Sequence, residues 1–75
     1  MYTIYGKTNC PQCDAAKRFL TSRGVEFEYK LFGIDYTMDE LMELPGVTRE
    51  MPQIYKDGTR VGGVPQLMKQ IDSKE

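Results

Sequence analysis

The chain has 75 residues and a formal net charge of -1, with 40% hydrophobic and 28% charged residues. This size predicts one domain over residues 1–75, and the near-neutral charge excludes bulk electrostatic binding to nucleic acid or to a membrane surface. No apolar run is long enough to span a bilayer, and no basic start followed by an apolar stretch indicates a signal peptide. We therefore expect a cytoplasmic monomer, in a compartment where cysteine pairs are usually catalytic or metal-binding.

The first part of the chain predicts a strand, a helix and a second strand. Residues 1–5 carry the β-branched and aromatic side chains typical of a strand, and a polar connector follows at residues 6–9. Pro11 suits the first position of a helix, where its missing N–H is not needed, and Gly24 ends that helix in left-handed geometry. Residues 26–32 then alternate between apolar and charged side chains, which predicts a half-buried strand.

The middle of the chain predicts a short helix and then a hairpin. Residues 37–40 form a capping box at the start of the helix, and the Pro-Gly pair at 45–46 ends it. Two strands follow at residues 53–56 and 59–61, and the Asp-Gly pair at 57–58 is the turn between them.

The last part of the chain predicts one more helix. Gly62 and Gly63 indicate a second tight turn, Pro65 opens the helix, and residues 73–75 are predicted to fray. The element order is therefore β-α-β-α-β-β-α, and its first βαβ unit requires a parallel, right-handed crossover. This order predicts an α/β fold with a four-stranded mixed sheet and three helices.

Apolar side chains at strand and helix spacings predict the core between the sheet and its helices. Its aromatic and aliphatic members are Tyr2, Tyr5, Phe19, Phe27, Tyr29 and Ile54. Met38, Met42 and Met68 also lie at helical spacings, and we interpret them as core fillers rather than metal ligands, because a flexible thioether adapts to irregular gaps.

Cys10 and Cys13 are the only cysteines, and their C-x-x-C spacing lies where the first strand leads into the first helix. This context predicts a thiol-disulfide redox motif. The competing interpretation is a structural staple. A ring of four residues would contribute only roughly 2 kcal/mol, against about 3 kcal/mol for a ring of fifteen, so a staple is disfavoured here.

The position of the pair predicts different roles for the two sulfurs. With Pro11 as the first helical residue, Cys10 is the N-cap, and free backbone N–H groups of the first turn point at its sulfur. These groups belong to Gln12 and Cys13, and together with the positive helix end they favour the thiolate. Lys7 adds a positive charge nearby. We expect Cys10 to attack a substrate disulfide and Cys13, one turn inside the helix, to resolve the mixed disulfide.

Met51 and Pro52 directly precede a predicted strand. A cis X-Pro bond costs only about 0.5–1 kcal/mol over trans and usually marks a tight, functional turn. Placed against the disulfide, such a bond would leave the backbone of Met51 free to pair with an extended thiol substrate. A trans proline at a strand start is the equal alternative from local sequence alone.

These residues together resemble the glutaredoxin branch of the thioredoxin-like superfamily over nearly the whole chain. The matching segments are Lys7-Thr8-x-Cys10-Pro11-x-Cys13, Met51-Pro52-Gln53-Ile54 and Val61-Gly62-Gly63. The resemblance implies a thioredoxin-like fold and a dithiol thiol-disulfide oxidoreductase that takes electrons from glutathione as co-substrate and holds no bound cofactor or metal. It also implies disulfide-containing protein substrates such as ribonucleotide reductase, and it favours a cis bond before Pro52.

The resemblance further implies a binding site for glutathione. Lys7 and Arg49 would meet a glutathione carboxylate. Gln12 occupies the place of the usual tyrosine beside the thiol. The backbone of Met51, next to Pro52, would pair with the cysteinyl part of the ligand.

The γ-glutamyl end of glutathione would be held by Gly63, Val64 and the first turn of the last helix, which includes Gln66. Two departures from the family pattern lie close by. Pro65 and Gln66 stand where many glutaredoxins have a hydroxyl or acid and then an aspartate, so the carboxylate that meets the γ-glutamyl ammonium is missing. Glu50 replaces a threonine before the Met-Pro pair and adds a negative charge.

Three alternatives stay open at this point. The C-x-Gln-Cys ending of the motif also resembles glutaredoxin-like redoxins that are reduced by thioredoxin reductase. A dimeric iron-sulfur cluster carrier is another class, although two thiolates without histidine cannot complete a four-ligand site in one chain. The third is a non-catalytic binding module that keeps the fold, against which the intact cysteine pair argues.

Overall fold

The computed structural model describes residues 1–72, so the predicted frayed tail at 73–75 lies outside the described residues. Within this range the chain forms four strands and three helices in the predicted order. Their bounds are β1 Tyr2–Gly6, α1 Pro11–Ser22, β2 Phe27–Leu31, α2 Met38–Met42, β3 Gln53–Lys56, β4 Thr59–Gly62 and α3 Val64–Asp72.

The four strands form one mixed sheet in the order β2-β1-β3-β4. Strands β1 and β2 are parallel, as the crossover through α1 requires, whereas β3 is antiparallel to both β1 and β4. The parallel pair and the antiparallel hairpin therefore meet at β1 and β3 in the centre of the sheet. The carboxyl end of β1 leads directly to the cysteine pair.

Local signals place the end of α1, the start of α2 and the hairpin turn as predicted, whereas α2 ends at Met42, before the predicted Pro-Gly stop at 45–46. At the end of α1, Gly24 adopts a left-handed φ of 69°. At the start of α2, the Thr37 side chain accepts from the Glu40 N–H while the Glu40 carboxylate accepts from the Thr37 N–H, at 3.2 and 2.8 Å. Asp57 and Gly58 both have positive φ in the turn between β3 and β4, which matches the twist of a tight hairpin.

The residues around the two glycines at 62–63 differ from the prediction. Gly62 belongs to β4 and Val64 is the first residue of α3, so the chain passes from strand to helix through Gly63 alone. Gly62 has a φ of 127°, and a Cβ there would lie 2.9 Å from the Cγ of Gln66. The glycine is therefore needed for the close approach of the strand to the helix.

The main core lies between one face of the sheet and helices α1 and α3. Its buried members are Tyr2, Ile4, Ala16, Leu20, Ile54, Val64 and Leu67, and Phe19, Phe27 and Tyr29 pack partly buried against them. Tyr5 is on the opposite face of the sheet, where its ring meets the edges of Tyr36 and Tyr55 at centroid distances of 5.3 and 5.9 Å. No helix within residues 1–72 is long and apolar enough to cross a membrane.

The interpretation of three methionines as core fillers is wrong. Met38, Met42 and Met68 retain 46%, 38% and 42% of their surface exposed. The buried positions of these helices are Leu41 on α2, and Val64 and Leu67 on α3. Each helix is short and buries only one side, so the methionines remain at the surface.

Candidate active site

Cys10 caps the amino end of α1, as the sequence predicts. Its backbone is extended, with φ and ψ of -126° and 95°, and its sulfur accepts the N–H of Cys13 at 3.2 Å. The two cysteines are joined as a disulfide with a Cα–Cα distance of 5.2 Å. After reduction, the same N–H donor and the positive end of the helix favour a thiolate on Cys10.

The two cysteines differ in their exposure to solvent. Cys10 is 7% exposed and Cys13 is fully buried. Cys10 is therefore the more accessible of the two cysteines. This difference fits an attacking role for Cys10 and a resolving role for Cys13.

Cys13 packs against the carboxyl end of β1. A Cβ on Gly6 would lie 3.0 Å from the sulfur of Cys13 and 2.9 Å from the ring carbon Cζ of Tyr29. Gly6 was predicted only as part of a polar connector, but it is the last residue of β1 and is buried. The absence of a side chain at Gly6 gives the sulfur of Cys13 and the Tyr29 ring room to approach the strand.

Tyr36 connects this strand end to the loop before Pro52. Its hydroxyl donates to the carbonyl oxygen of Gly6 at 2.8 Å and lies 3.8 Å from the sulfur of Met51. Burial, with smaller contributions from Tyr29 and Tyr5, raises the pKa of Tyr36 from 10.0 to about 12. The hydroxyl therefore stays protonated and donating throughout the physiological pH range.

The Tyr36 hydroxyl should make the protein less stable at high pH. Between pH 10 and 12 the unfolded chain releases the phenolic proton while the folded chain retains it, so the free energy of unfolding falls as pH rises. We expect Tyr36→Phe to cost about 1 kcal/mol at pH 7 through the lost hydrogen bond and to make the decline above pH 10 shallower. Urea unfolding at pH 7, 9, 10 and 11 measures both effects. If Tyr36→Phe left the fall in the free energy of unfolding above pH 10 unchanged, the raised pKa of Tyr36 would not be its cause.

The peptide bond between Met51 and Pro52 is cis, as the resemblance implies. Neither the N–H nor the carbonyl of Met51 forms a backbone hydrogen bond within residues 1–72. Pro52 is buried and Met51 is half-buried. The backbone of Met51 therefore has both of its hydrogen-bonding groups without a backbone partner in this part of the chain.

A buried polar network holds the loop that leads to Met51. Gln53 is fully buried, and its Nε2 donates to the hydroxyl of Thr48 at 2.7 Å and to the carbonyl of Glu50 at 2.6 Å. Its Oε1 accepts from the guanidinium Nε of Arg60 at 2.9 Å. One side chain thus fixes both the loop at residues 48–50 and the neighbouring strand β4.

Most of the predicted ligand-binding positions converge on one cleft of about 500 Å³. Its lining residues are Gln12, Glu50, Met51, Pro52, Gly63, Val64, Pro65 and Gln66. These residues come from the first turn of α1, the loop with the cis proline and the start of α3. The cleft opens beside Gln12, which lies between the two cysteines in the sequence.

Two predicted positions do not line this cleft. Lys7 is exposed in the segment between β1 and Cys10. Arg49 is exposed and lines a neighbouring pocket with Leu41, Met51 and the two methionines of α2. Arg49 thus lines a pocket that shares Met51 with the cleft, and it does not line the cleft itself.

Gln66 has a contact within the protein that the sequence did not indicate. Its Oε1 accepts the N–H of Gly63 at 3.0 Å, so the side chain caps the start of α3. Pro65 has no N–H to offer. Within residues 1–72, the start of α3 therefore presents two fewer donors to an anion than an uncapped helix without proline would.

The model of the Glutaredoxin family matches residues 2–70. The chain belongs to the glutaredoxin family. It is 38% identical to Glutaredoxin 3 of Escherichia coli over 65 residues, which cover 85% of this chain and 77% of that protein. Over 26 residues, 35% of this chain and 32% of the other, it is 62% identical to the Glutaredoxin-like protein NrdH of Salmonella typhimurium.

Two further comparisons concern length and fold. This glutaredoxin is 34% identical over 67 residues to the Hybrid peroxiredoxin hyPrx5 of Haemophilus influenzae, a match that covers 89% of the chain but 27% of that longer protein. A crystal structure of glutaredoxin 1 from Francisella tularensis, complexed with cacodylate, superposes with a TM-score of 0.75 at 26% identity, covering 96% of this chain and 92% of that one. The predicted thioredoxin-like fold is confirmed.

Family, fold and cysteine geometry together make this glutaredoxin a dithiol thiol-disulfide oxidoreductase. Reduced Cys10 and Cys13 carry the two electrons that a substrate disulfide accepts, and the oxidised pair is the disulfide seen here. Sequence reasoning missed the supporting residues Gly6, Tyr36 and Gln53. A glycine at a strand end was the available signal for the first, since it often marks a close approach.

Proposed function

We propose that this glutaredoxin reduces disulfides with glutathione as the source of electrons. The thiolate of Cys10 attacks one sulfur of the substrate disulfide, and the other sulfur leaves as a thiol. Cys13 then attacks the sulfur of Cys10 and releases the second substrate thiol. Two glutathione molecules restore the dithiol and leave as glutathione disulfide, so the cycle balances in electrons and protons.

One observation carries this proposal. Six of the eight non-cysteine positions predicted from the family pattern line a single cleft beside the cysteine pair, and these are Gln12, Met51, Pro52, Gly63, Val64 and Gln66. The volume of about 500 Å³ is within the range of small-molecule sites. The free backbone of Met51 would pair with the cysteinyl part of glutathione, while Lys7 would act from outside the cleft.

We propose further that the chain works as a cytoplasmic monomer on protein disulfides, with ribonucleotide reductase as one substrate. Reactive dithiols persist in reducing compartments, where structural disulfides are rare. The local likeness to the Glutaredoxin-like protein NrdH supports a protein disulfide, such as that of ribonucleotide reductase, as the substrate.

A second candidate reductant is favoured by the start of α3. Gln66 occupies the N–H of Gly63, Pro65 has no donor, and the carboxylate of Glu50 lines the same cleft as both. All three features disfavour the carboxylates of glutathione. A redoxin reduced by thioredoxin reductase needs no such anion site, so these features favour thioredoxin reductase as the second candidate reductant.

Comparing two reductants tests the proposal. The oxidised protein is mixed with hydroxyethyl disulfide, and NADPH loss is followed with glutathione plus glutathione reductase, or with thioredoxin reductase. We expect turnover with glutathione. Turnover with thioredoxin reductase alone would replace glutathione by the second candidate, and no turnover with either, from folded protein with two free thiols, would overturn the proposed function.

A substitution sharpens this comparison. Gln66→Asp places a carboxylate where many glutaredoxins have one to meet the γ-glutamyl ammonium of glutathione. We expect a KM for glutathione about 3- to 10-fold lower, the effect of one added ion pair of roughly 1 kcal/mol. Gln70→Asp, on the same helix outside the cleft, is the matched control and should leave the KM unchanged. Equal effects of both substitutions would show that only the general charge of α3 matters.

A further inference from the structure

A second pocket of about 260 Å³ adjoins the cleft, and Met51 lines both cavities. Its complete lining is Met38, Leu41, Met42, Arg49 and Met51. Leu41 is buried, whereas Met38 and Met42 lie at the surface. Four apolar side chains and one guanidinium thus surround this space, which we name the methionine pocket.

The side chains of the methionine pocket suit a ligand that varies in shape. Methionine is unbranched and polarisable, and it is over-represented at surfaces that bind several partners. Both exposed methionines of α2 face this one pocket, although the sequence suggested that they fill the core. Covering these two side chains with another molecule would remove apolar surface from water, which is favourable.

Arg49 gives the methionine pocket a charge preference. Within residues 1–72 its guanidinium forms no ion pair, and no acidic residue lines the pocket. Guanidinium groups bind carboxylates through two parallel hydrogen bonds. The fitting ligand therefore presents a bulky apolar group with a carboxylate beside it.

We propose that the methionine pocket receives a bulky apolar side chain of the protein substrate, while Arg49 binds a carboxylate next to it in the same segment. This inference rests on the proposed function, because the segment must also place its disulfide in the adjoining cleft. Since Met51 lines both cavities, we place the apolar residue within about four residues of the substrate cysteine, a span of at most roughly 14 Å.

The pocket would distinguish protein disulfides from glutathione. Glutathione has no bulky apolar side chain, so it gains nothing from Met38 and Met42. A polypeptide with leucine and aspartate near its cysteine gains from both the apolar lining and Arg49. The cleft would thus hold the reacting disulfide, and the methionine pocket would select the protein that carries it.

Synthetic peptides with one internal disulfide test this inference without any choice of reductant. The protein is reduced beforehand, and loss of the peptide disulfide is followed by chromatography as Cys10 and Cys13 become oxidised. A leucine-aspartate pair is moved through the four positions on either side of the disulfide, and the two sets of reference peptides carry alanine-aspartate or leucine-asparagine instead. Hydroxyethyl disulfide serves as the small substrate to which each peptide rate is normalised.

We expect at least one leucine-aspartate peptide to be reduced about 5- to 10-fold faster than its reference, as partial burial of one apolar side chain gives. Met42→Gln should remove the preference for leucine, and Arg49→Gln should remove the preference for aspartate. Met68→Gln, an equally exposed methionine on α3, and Arg18→Gln, an exposed arginine on α1, are matched controls that should change neither ratio.

The outcomes separate the inference from the proposed function. Normal reduction of hydroxyethyl disulfide with equal rates for all peptides would overturn the methionine pocket and leave the oxidoreductase intact. A preference that survives both Met42→Gln and Arg49→Gln would also overturn it. Failure to reduce hydroxyethyl disulfide would overturn the proposed function itself.

Discussion

Replacing Cys10 with serine should abolish disulfide reduction completely, whereas replacing Cys13 should stop the cycle after its first step. Cys10 is the more accessible of the two sulfur-bearing residues and accepts a helix N–H. Without its thiolate no substrate disulfide is attacked. Without Cys13 the mixed disulfide forms but is not resolved within the protein, so turnover in the coupled assay falls while a covalent adduct accumulates.

The serine substitution at Cys10 is a fair test of chemistry because it preserves the fold. Serine is among the residues preferred at an N-cap, so α1 should still begin at Pro11. Cys13 is fully buried, and a serine hydroxyl there costs about 1–3 kcal/mol if it finds no partner. Cys13→Ala is therefore the second variant, since it removes the thiol without adding a buried polar group.

Mass spectrometry of each variant after exposure to oxidised peptide measures the adduct. We expect one covalently bound peptide on Cys13→Ser and Cys13→Ala, and none on Cys10→Ser. The reverse pattern, with adduct on Cys10→Ser, would exchange the roles of the two residues. Circular dichroism of all variants checks that each remains folded.

The elements of this fold were predictable because their signals are local. Pro11 starts α1, the Thr37-Glu40 box starts α2, and the Asp57-Gly58 pair turns the hairpin, each through bonds or dihedral angles within a few residues. Such signals act before any tertiary contact forms. The cysteine pair belongs to the same class, because its chemistry needs only the helix end on which Cys10 lies.

The surroundings of the site were less predictable because they depend on contacts between distant segments. Arg49 was grouped with the cleft residues, but its side chain lines the methionine pocket because α2 packs beside the loop. The exposure of Met38 and Met42 has the same origin, since a helix of five residues can bury only one side. A periodic pattern identifies an apolar face but not the partner that covers it.

Gln53 is the strongest example of this limit. Glutamine is mostly exposed in proteins, and its place in a predicted strand gives no reason to expect full burial. Its three hydrogen-bond partners are the Thr48 hydroxyl, the Glu50 carbonyl and the Arg60 guanidinium, five, three and seven residues away. The network could not be inferred from the sequence because none of these partners lies on the same element as Gln53.

Replacing Gln53 with leucine should destabilise the protein by about 2–4 kcal/mol. The substitution nearly conserves volume but removes three hydrogen bonds, to the Thr48 hydroxyl, the Glu50 carbonyl and the Arg60 guanidinium, and each lost bond costs about 0.5–1.5 kcal/mol. Thr48 and Glu50 are exposed and Arg60 is half-buried, so all three groups recover hydrogen bonds to water, which limits the loss of stability. A chain of this length has roughly 4–11 kcal/mol of stability, so the loss is large and is measurable by urea unfolding.

The same change should lower kcat/KM for disulfide substrates more than the loss of folded protein explains. Gln53 anchors the carbonyl of Glu50, and Met51 follows directly with the backbone that is open to the ligand. When the anchor is lost, the loop samples other positions, so the pairing groups of Met51 are less often in place. The assay is therefore run at a temperature where the variant is fully folded by circular dichroism.

Two comparisons separate this positioning role from a general loss of stability. Gln70→Leu removes one hydrogen bond, from Gln70 to the Tyr2 hydroxyl at 3.1 Å, at a position of α3 that does not line the cleft. It should cost about 1 kcal/mol with no change in kcat/KM. Thr48→Ala and Gln53→Leu should also be non-additive by at least roughly 0.5 kcal/mol, because they share a bond. Additive stability losses, or a normal kcat/KM in folded Gln53→Leu, would show that Gln53 does not position Met51.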